Sequence, residues 1–124
     1  MQSDSFFPNI ITNLPHADIP IEGLSSYLIQ NENSQIVLMS FDKDAEIAEH
    51  VHVGQWAVVL DGQIELTVND RKRVYTKGDT YFIPANVPHS ARISAGYKDL
   101  TLFDQKDRYK ERITWQIHSR IEYS

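Results

Sequence analysis

Between residues 56 and 80 the chain is broken by Asp61-Gly62, Asn69-Asp70 and Lys77-Gly78-Asp79, a turn signal about every eight residues with alternating or β-branched stretches between them. That rhythm commits the middle of the chain to short antiparallel strands. Ile64, Leu66 and Val68 alternate with Gln63, Glu65 and Thr67, the period of a strand with one buried face. Trp56 to Leu60 is apolar on both faces and reads as a more enclosed strand, joined to its neighbour by the Asp-Gly hairpin. Upstream, Ser25 to Gln30 and Gln35 to Asp42 pair across the polar stretch Asn31 to Ser34. Downstream, Val74 to Thr76, Thr80 to Ile83, Ser90 to Ile93 and Lys98 to Phe103 bring the strands named so far to eight; about nine or ten are expected in all, for which closure or double layering disposes of exposed edges. The expected fold is therefore all-β, a closed barrel or jelly roll. Met39, Phe41, Trp56 and Phe82 are expected to line it or to lie in its core.

With 124 residues the chain supports one core that buries about two thirds of the unfolded surface. Residues 1–20, with three prolines and His16, are expected to form an arm, residues 21–104 the barrel, and residues 105–124 a C-terminal extension. Asp104 to Arg112 mixes charges of both signs and reads as a solvated turn or short helix. In the tail, Ile113, Trp115, Ile117 and Ile121 alternate with polar residues as in a strand, whose apolar face needs cover from the barrel or from a second copy; a homodimer is expected. A net charge of -5 provides no basic field for a nucleic acid. No apolar run approaches the ~18 residues of a membrane span, and Met1 to Ile11 lacks a basic leader, so a cytoplasmic location is expected. There is no cysteine, hence no thiolate nucleophile, and any metal must sit on nitrogen and oxygen.

The chemistry-bearing residues are histidines. His50 and His52 are two apart, so in extended chain both rings leave the same face with their Cα atoms about 7 Å apart, able to converge on one ion. Gln55 follows Val53-Gly54 and can join them through its amide oxygen if it opens the next strand facing inward; parity then turns Ala57 and Val59 inward and leaves pocket space beside them. His89 lies in Ile83-Pro-Ala-Asn-Val-Pro-His89, where two prolines stiffen the turn that delivers it to the following strand. Three nitrogens and one oxygen suit iron, copper, nickel, zinc or manganese, with room for water or substrate. Tyr27, Tyr75, Tyr81, His16 and His118 are better explained by packing than by proton transfer, and Ser90 as a strand residue. No phosphate-binding glycine loop or serine-nucleophile element is present, and spacing singles out no carboxylate pair.

His50-Val51-His52-Val53-Gly54-Gln55, six residues, then Gly62, followed by Gly78, five residues, Pro84, Asn86, two residues and His89, resembles the two-part signature of the cupin superfamily of small β-barrels (double-stranded β-helices). The resemblance implies one divalent transition-metal ion held by His50, His52 and His89, with Gln55 in the place of the usual glutamate. The chain departs from the pattern in the neutrality of Gln55 and its position one residue early, in Asn86 where glycine is usual, and in Ile93 where asparagine is frequent. Asparagine suits its position because it visits the left-handed region more readily than most residues. With glutamine as fourth ligand the ion keeps its full charge, favours anionic substrates, and leaves any proton to be accepted by a group other than residue 55. The functions implied are metal-dependent chemistry on a small organic molecule, oxygenase-type first, with isomerase, lyase or decarboxylase chemistry also open. A non-catalytic ligand-binding or sensor module and a metal-free structural barrel are the other readings. No individual catalytic residue is assigned.

Overall fold

The computed structural model describes residues 6–112. After a single helical turn, α1 (Asn9–Thr12), come β1 (Leu24–Gln30), β2 (Gln35–Phe41), β3 (Ala45–His50), β4 (Gln55–Asp61), β5 (Gln63–Val68), β6 (Arg71–Thr76), β7 (Thr80–Ile83), β8 (His89–Ile93) and β9 (Lys98–Phe103). They form two antiparallel sheets, one ordered β1-β2-β9-β4-β7 and the other β3-β8-β5-β6. This is the expected jelly roll. Its inner layer is made by every second residue: Ala57 and Val59 from β4, Ile64 and Leu66 from β5, Tyr81 and Ile83 from β7, with Phe41, Ile93 and Tyr97.

The turn residues do what their chemistry allows. Asn69 and Asp70 both take positive φ, at 52° and 67°, the pair of left-handed residues that a two-residue hairpin needs between β5 and β6. Gly62 sits at φ 72°, and a Cβ there would come within 2.7 Å of the Tyr97 backbone, so the β4–β5 turn requires glycine for both strain and space.

Two placements correct the sequence reading. Trp56 is 40% exposed and Phe82 62% exposed, outside the core rather than in it. The reason is parity: Ala57 and Val59 on β4 and Tyr81 and Ile83 on β7 face inward, which turns their sequence neighbours outward. Trp56 pairs with Phe82 on one side and Leu102 on the other, Leu102 with Ile36, and Ile36 with Ile29. An apolar row therefore crosses all strands of the larger sheet on its outer face.

The segments flanking the barrel are packed onto it. Phe7 is buried with Tyr27 and Leu38, while Ala17 and Ile19 are buried with Leu28, Val37 and Phe103. Backbone bridges join His16 to Tyr27 and Ala17 to Glu111. The charged stretch from Asp104 to Arg112 is not simply solvated. Gln35, fully buried, donates its amide to the carbonyls of Lys106 and Tyr109 and accepts the Tyr109 N–H, so its side chain fastens this segment to β2. The strand expected over residues 113–122, and His118 within it, lies outside the described residues.

Candidate metal centre

His50 closes β3 and His89 opens β8, and the two strands pair so that these residues stand opposite each other. Ile47 pairs with Ala91 and His50 with His89, so three steps on β3 match two on β8. The extra residue is a β-bulge, a device that re-aims side chains beside functional sites. His52 follows two residues later in the connection to β4, and its carbonyl accepts the Asn86 N–H at 2.8 Å. That bond ties the His50–His52 stretch to the proline-framed turn carrying His89. Asn86 holds φ 63°, the left-handed conformation its residue type tolerates.

The three imidazoles converge as expected. One ring nitrogen from each of His50, His52 and His89 lies within 4.8 Å of the others, and the ring centroids are 4.3 to 5.1 Å apart. Each Nδ1 meets a backbone carbonyl: Ala48 for His50 at 2.8 Å, Val53 for His52 at 2.6 Å and Val87 for His89 at 2.9 Å. A carbonyl can only accept, so every Nδ1 carries the hydrogen and every Nε2 presents a lone pair. The Nε2 atoms of His52 and His89 are 2.9 Å apart. Two lone pairs at that separation repel unless a cation or a proton lies between them.

Protonation is the less favoured answer. Burial pushes His52 down to about 4, helped by His89, Arg108 and His50 and opposed by the Val53 carbonyl. Burial also lowers His89, with His50 and Arg108 adding to the effect against the Val87 carbonyl. Neutral imidazoles with oriented, unshared Nε2 acceptors are the donor set that a divalent transition metal takes, and the backbone carbonyls behind them fix tautomer and ring orientation. The residues present fit such an ion.

A cavity of about 90 Å³ runs inward from this cluster. Gln55, first residue of β4 and paired with Ile83 and Phe103, lines it together with the three histidines. Most of the remaining wall is apolar, with Ile64, Ile83 and Ile93 among its residues, while Ala57 and Val59 face inward but lie in the core rather than on the cavity wall.

Several residues at this site were not singled out by the sequence reading. Arg108 lies over the Tyr109 ring at 4.6 Å and the Phe103 ring at 5.7 Å, and Phe103 meets the His52 ring edge-on at 5.5 Å. The Arg108 Nε is buried with no hydrogen-bond partner among the described residues. Its charge is felt at both His52 and His89. Inside the barrel, the Tyr81 and Tyr97 hydroxyls are 3.2 Å apart and Tyr97 donates to Asp99 Oδ2 at 2.6 Å. Parity along β9, which puts Asp99 on the same face as Thr101 and Phe103, was the signal that could have found Asp99; for Arg108, within a mixed charge run, the sequence held none. Tyr27 packs edge-on against His16, and the Tyr75 and Tyr81 rings meet at a tilt with centroids 5.1 Å apart, in keeping with the packing roles expected of them.

A family model described as a cupin domain matches residues 37–104. Quercetin 2,3-dioxygenase of Bacillus subtilis (strain 168) is 35% identical over 74 residues, 58% of this chain but 22% of that enzyme, so the match spans about a fifth of the curated relative. Among solved structures, an RmlC-like cupin from Shewanella frigidimarina NCIMB 400 superposes with a TM-score of 0.68 and 27% identity over 87% of this chain and 96% of its own. A variant of oxalate decarboxylase from B. subtilis, 22% identical, shares the fold with a TM-score of 0.66 over 87% of this chain and 33% of its own. A family match over more than half its length, on a jelly roll whose two signature stretches bring three histidines together, places this chain in the cupin family.

Proposed function

We propose that the protein holds one divalent transition-metal ion through His50, His52, His89 and the amide oxygen of Gln55, and uses it in oxygenase-type chemistry on a small organic anion. The observation that carries the reading is the set of Nε2 acceptors turned on one another while every Nδ1 hydrogen is spent on backbone. The 35% identity to quercetin 2,3-dioxygenase supports the oxygenase class. Manganese(II) centres are named for the oxalate decarboxylase of Bacillus subtilis, which keeps manganese among the candidate ions.

When bound, the ion supplies Lewis acidity and, for the redox-active metals, redox capacity. The chain's own contribution is position and electrostatics. Backbone carbonyls hold the rings in one tautomer, Gln55 adds no negative charge, and Arg108 places a fixed positive charge behind Phe103, so an anionic substrate is drawn to the mouth. The apolar wall excludes water around the rest of the molecule.

Metal content decides the first half of this reading. Protein purified without a chelating tag is expected to carry close to one equivalent of metal, and a His50→Ala, His89→Ala double variant close to none; equal content in both would overturn it. Oxygen uptake by iron-loaded protein with phenols, diketones and thiols decides the second half, and ligand-induced stabilisation without uptake would make the protein a binding module. A homodimer is part of the proposal, supported by the apolar row Ile29, Ile36, Leu102, Trp56 and Phe82 on the outer face of the larger sheet. Light scattering should report twice the chain mass, and half of it for Trp56→Glu, Phe82→Glu.

A further inference from the structure

Tyr109 stands in the segment that follows β9, and its main chain is held from inside the barrel: Gln35 accepts its N–H at 2.9 Å and donates to its carbonyl at 2.8 Å. Its ring packs edge-on against Phe103 at 5.6 Å and beneath the Arg108 guanidinium at 4.6 Å. It lines the same cavity as the histidines. Burial raises the hydroxyl above the usual phenol range, opposed by Arg108 and helped by Asp99, so it remains an O–H donor. The effect of Asp99, which sits deeper on β9, puts that hydroxyl on the inner side of the ring. A buried tyrosine hydroxyl ordinarily finds a partner. This one makes no hydrogen bond among the described residues, yet it is not shut away from the cavity. The other polar groups on the wall are engaged: the three histidines and Gln55 belong to the proposed metal site, and the Tyr81 hydroxyl and Asp99 carboxyl are bonded to Tyr97. A phenylalanine would fill the same space without leaving a hydroxyl unpaired in an apolar wall.

We propose that Tyr109 is a specificity-determining residue of the pocket, whose hydroxyl donates a hydrogen bond to an acceptor oxygen on the body of the bound molecule. This rests on the proposed function for the head of that molecule, a carboxylate drawn to the ion and Arg108. The fitting class is a short acid with an ether or oxo oxygen along its chain, the rest of it lying against the apolar wall. Gln35 fixes the Tyr109 main chain and Phe103 its ring, so the donor is in place before the ligand arrives and binding orders little further. An oxygen opposite it meets an O–H; a methylene there leaves that O–H without a partner.

The test uses manganese-loaded protein and matched acids in which an ether oxygen replaces one methylene: methoxyacetate with butanoate, 3-methoxypropanoate with pentanoate, and 4-methoxybutanoate with hexanoate. Manganese uptake is measured first by elemental analysis; no uptake would overturn the metal reading and this proposal with it. With the metal in place, calorimetry gives the ratio of affinities within each pair, for the wild type and for Tyr109→Phe, which keeps the ring and its packing. In at least one pair the ether acid is expected to lose about three- to tenfold in the variant, while its hydrocarbon partner weakens by less than about twofold or binds more tightly. A purely structural role for the hydroxyl would move both members of a pair alike. Ratios unchanged by Tyr109→Phe in every pair, or no binding of any acid by metal-loaded protein, would overturn the proposal and leave the metal site standing.

Discussion

The two ends of the barrel cavity bury polar groups of opposite kinds, and burial acts on them in opposite directions. At the mouth, desolvation strips His52 and His89 of their protons and leaves bare nitrogen acceptors facing each other. At the floor, the same loss of water pushes the Asp99 carboxyl up to about 7, so it retains its proton well into the range where a solvated aspartate has lost it. A neutral imidazole is a ligand in want of a cation; a buried carboxyl is a partner for a hydroxyl. One low-dielectric interior thus produces a cation-seeking end and a hydrogen-bonding end without any charged side chain exposed between them.

The contrast is broken most directly at Asp99. Its carboxyl titrates near 3.8 when unfolded and about 7 when folded, so the folded chain holds a proton that the unfolded chain releases between those values. The associated stability is complete below about pH 4, declines as pH rises, and is gone above about pH 7. Asp99→Asn has no such titration. Urea unfolding at about pH 5 and about pH 8 should show the wild type losing of order 2 kcal/mol relative to the variant, and a pH-independent difference would mean that the carboxyl is ionised throughout.

At the mouth, Gln55→Glu adds a negative charge where the cation is expected. Manganese affinity, measured by competition with a chelator, should rise about tenfold or more; an unchanged value would place residue 55 outside the coordinating group. Arg108→Gln removes the fixed positive charge beside Phe103. Binding of a small carboxylate such as hexanoate to metal-loaded protein should weaken about three- to tenfold and lose salt dependence, with metal content unaltered. The smallest effect concerns the bond that joins the two histidine-bearing stretches. Asn86→Ala, at φ 63°, should cost about 1 kcal/mol in chemical denaturation, and Asn86→Gly less, since glycine takes that conformation freely while keeping the N–H to His52.

Much of this arrangement was legible in advance where periodicity and turn chemistry agreed. The bounds of Thr80–Ile83 and Lys98–Phe103 match the strands read from alternation, and Asn69-Asp70 and Gly62 are left-handed where a hairpin demands it. His50, His52 and His89 meet because two-residue spacing and a proline-framed turn are local properties, each readable without knowing the rest of the chain. β3 was harder, since Ala45 to His50 reads Ala-Glu-Ile-Ala-Glu-His, a three-residue repeat that masks the two-residue period of a strand. Trp56 and Phe82 went astray because hydrophobicity was given more weight than parity. Gln35 acts through hydrogen bonds to residues 71 to 74 positions away, and Arg108 through the effect of its charge on His52 and His89, and no local pattern encodes those.

Gln35 has a consequence for how the doorway of the cavity can change. The Gln35 amide inside the barrel clamps the segment that carries Arg108 and Tyr109, whose far end is also paired with residues 16–19. The rim is therefore built from chain that follows the last strand and is bolted on from within. Selectivity at the entrance can be rewritten by altering that strip alone, leaving every barrel strand as it is, provided Gln35 and the pairing with residues 16–19 stay in place.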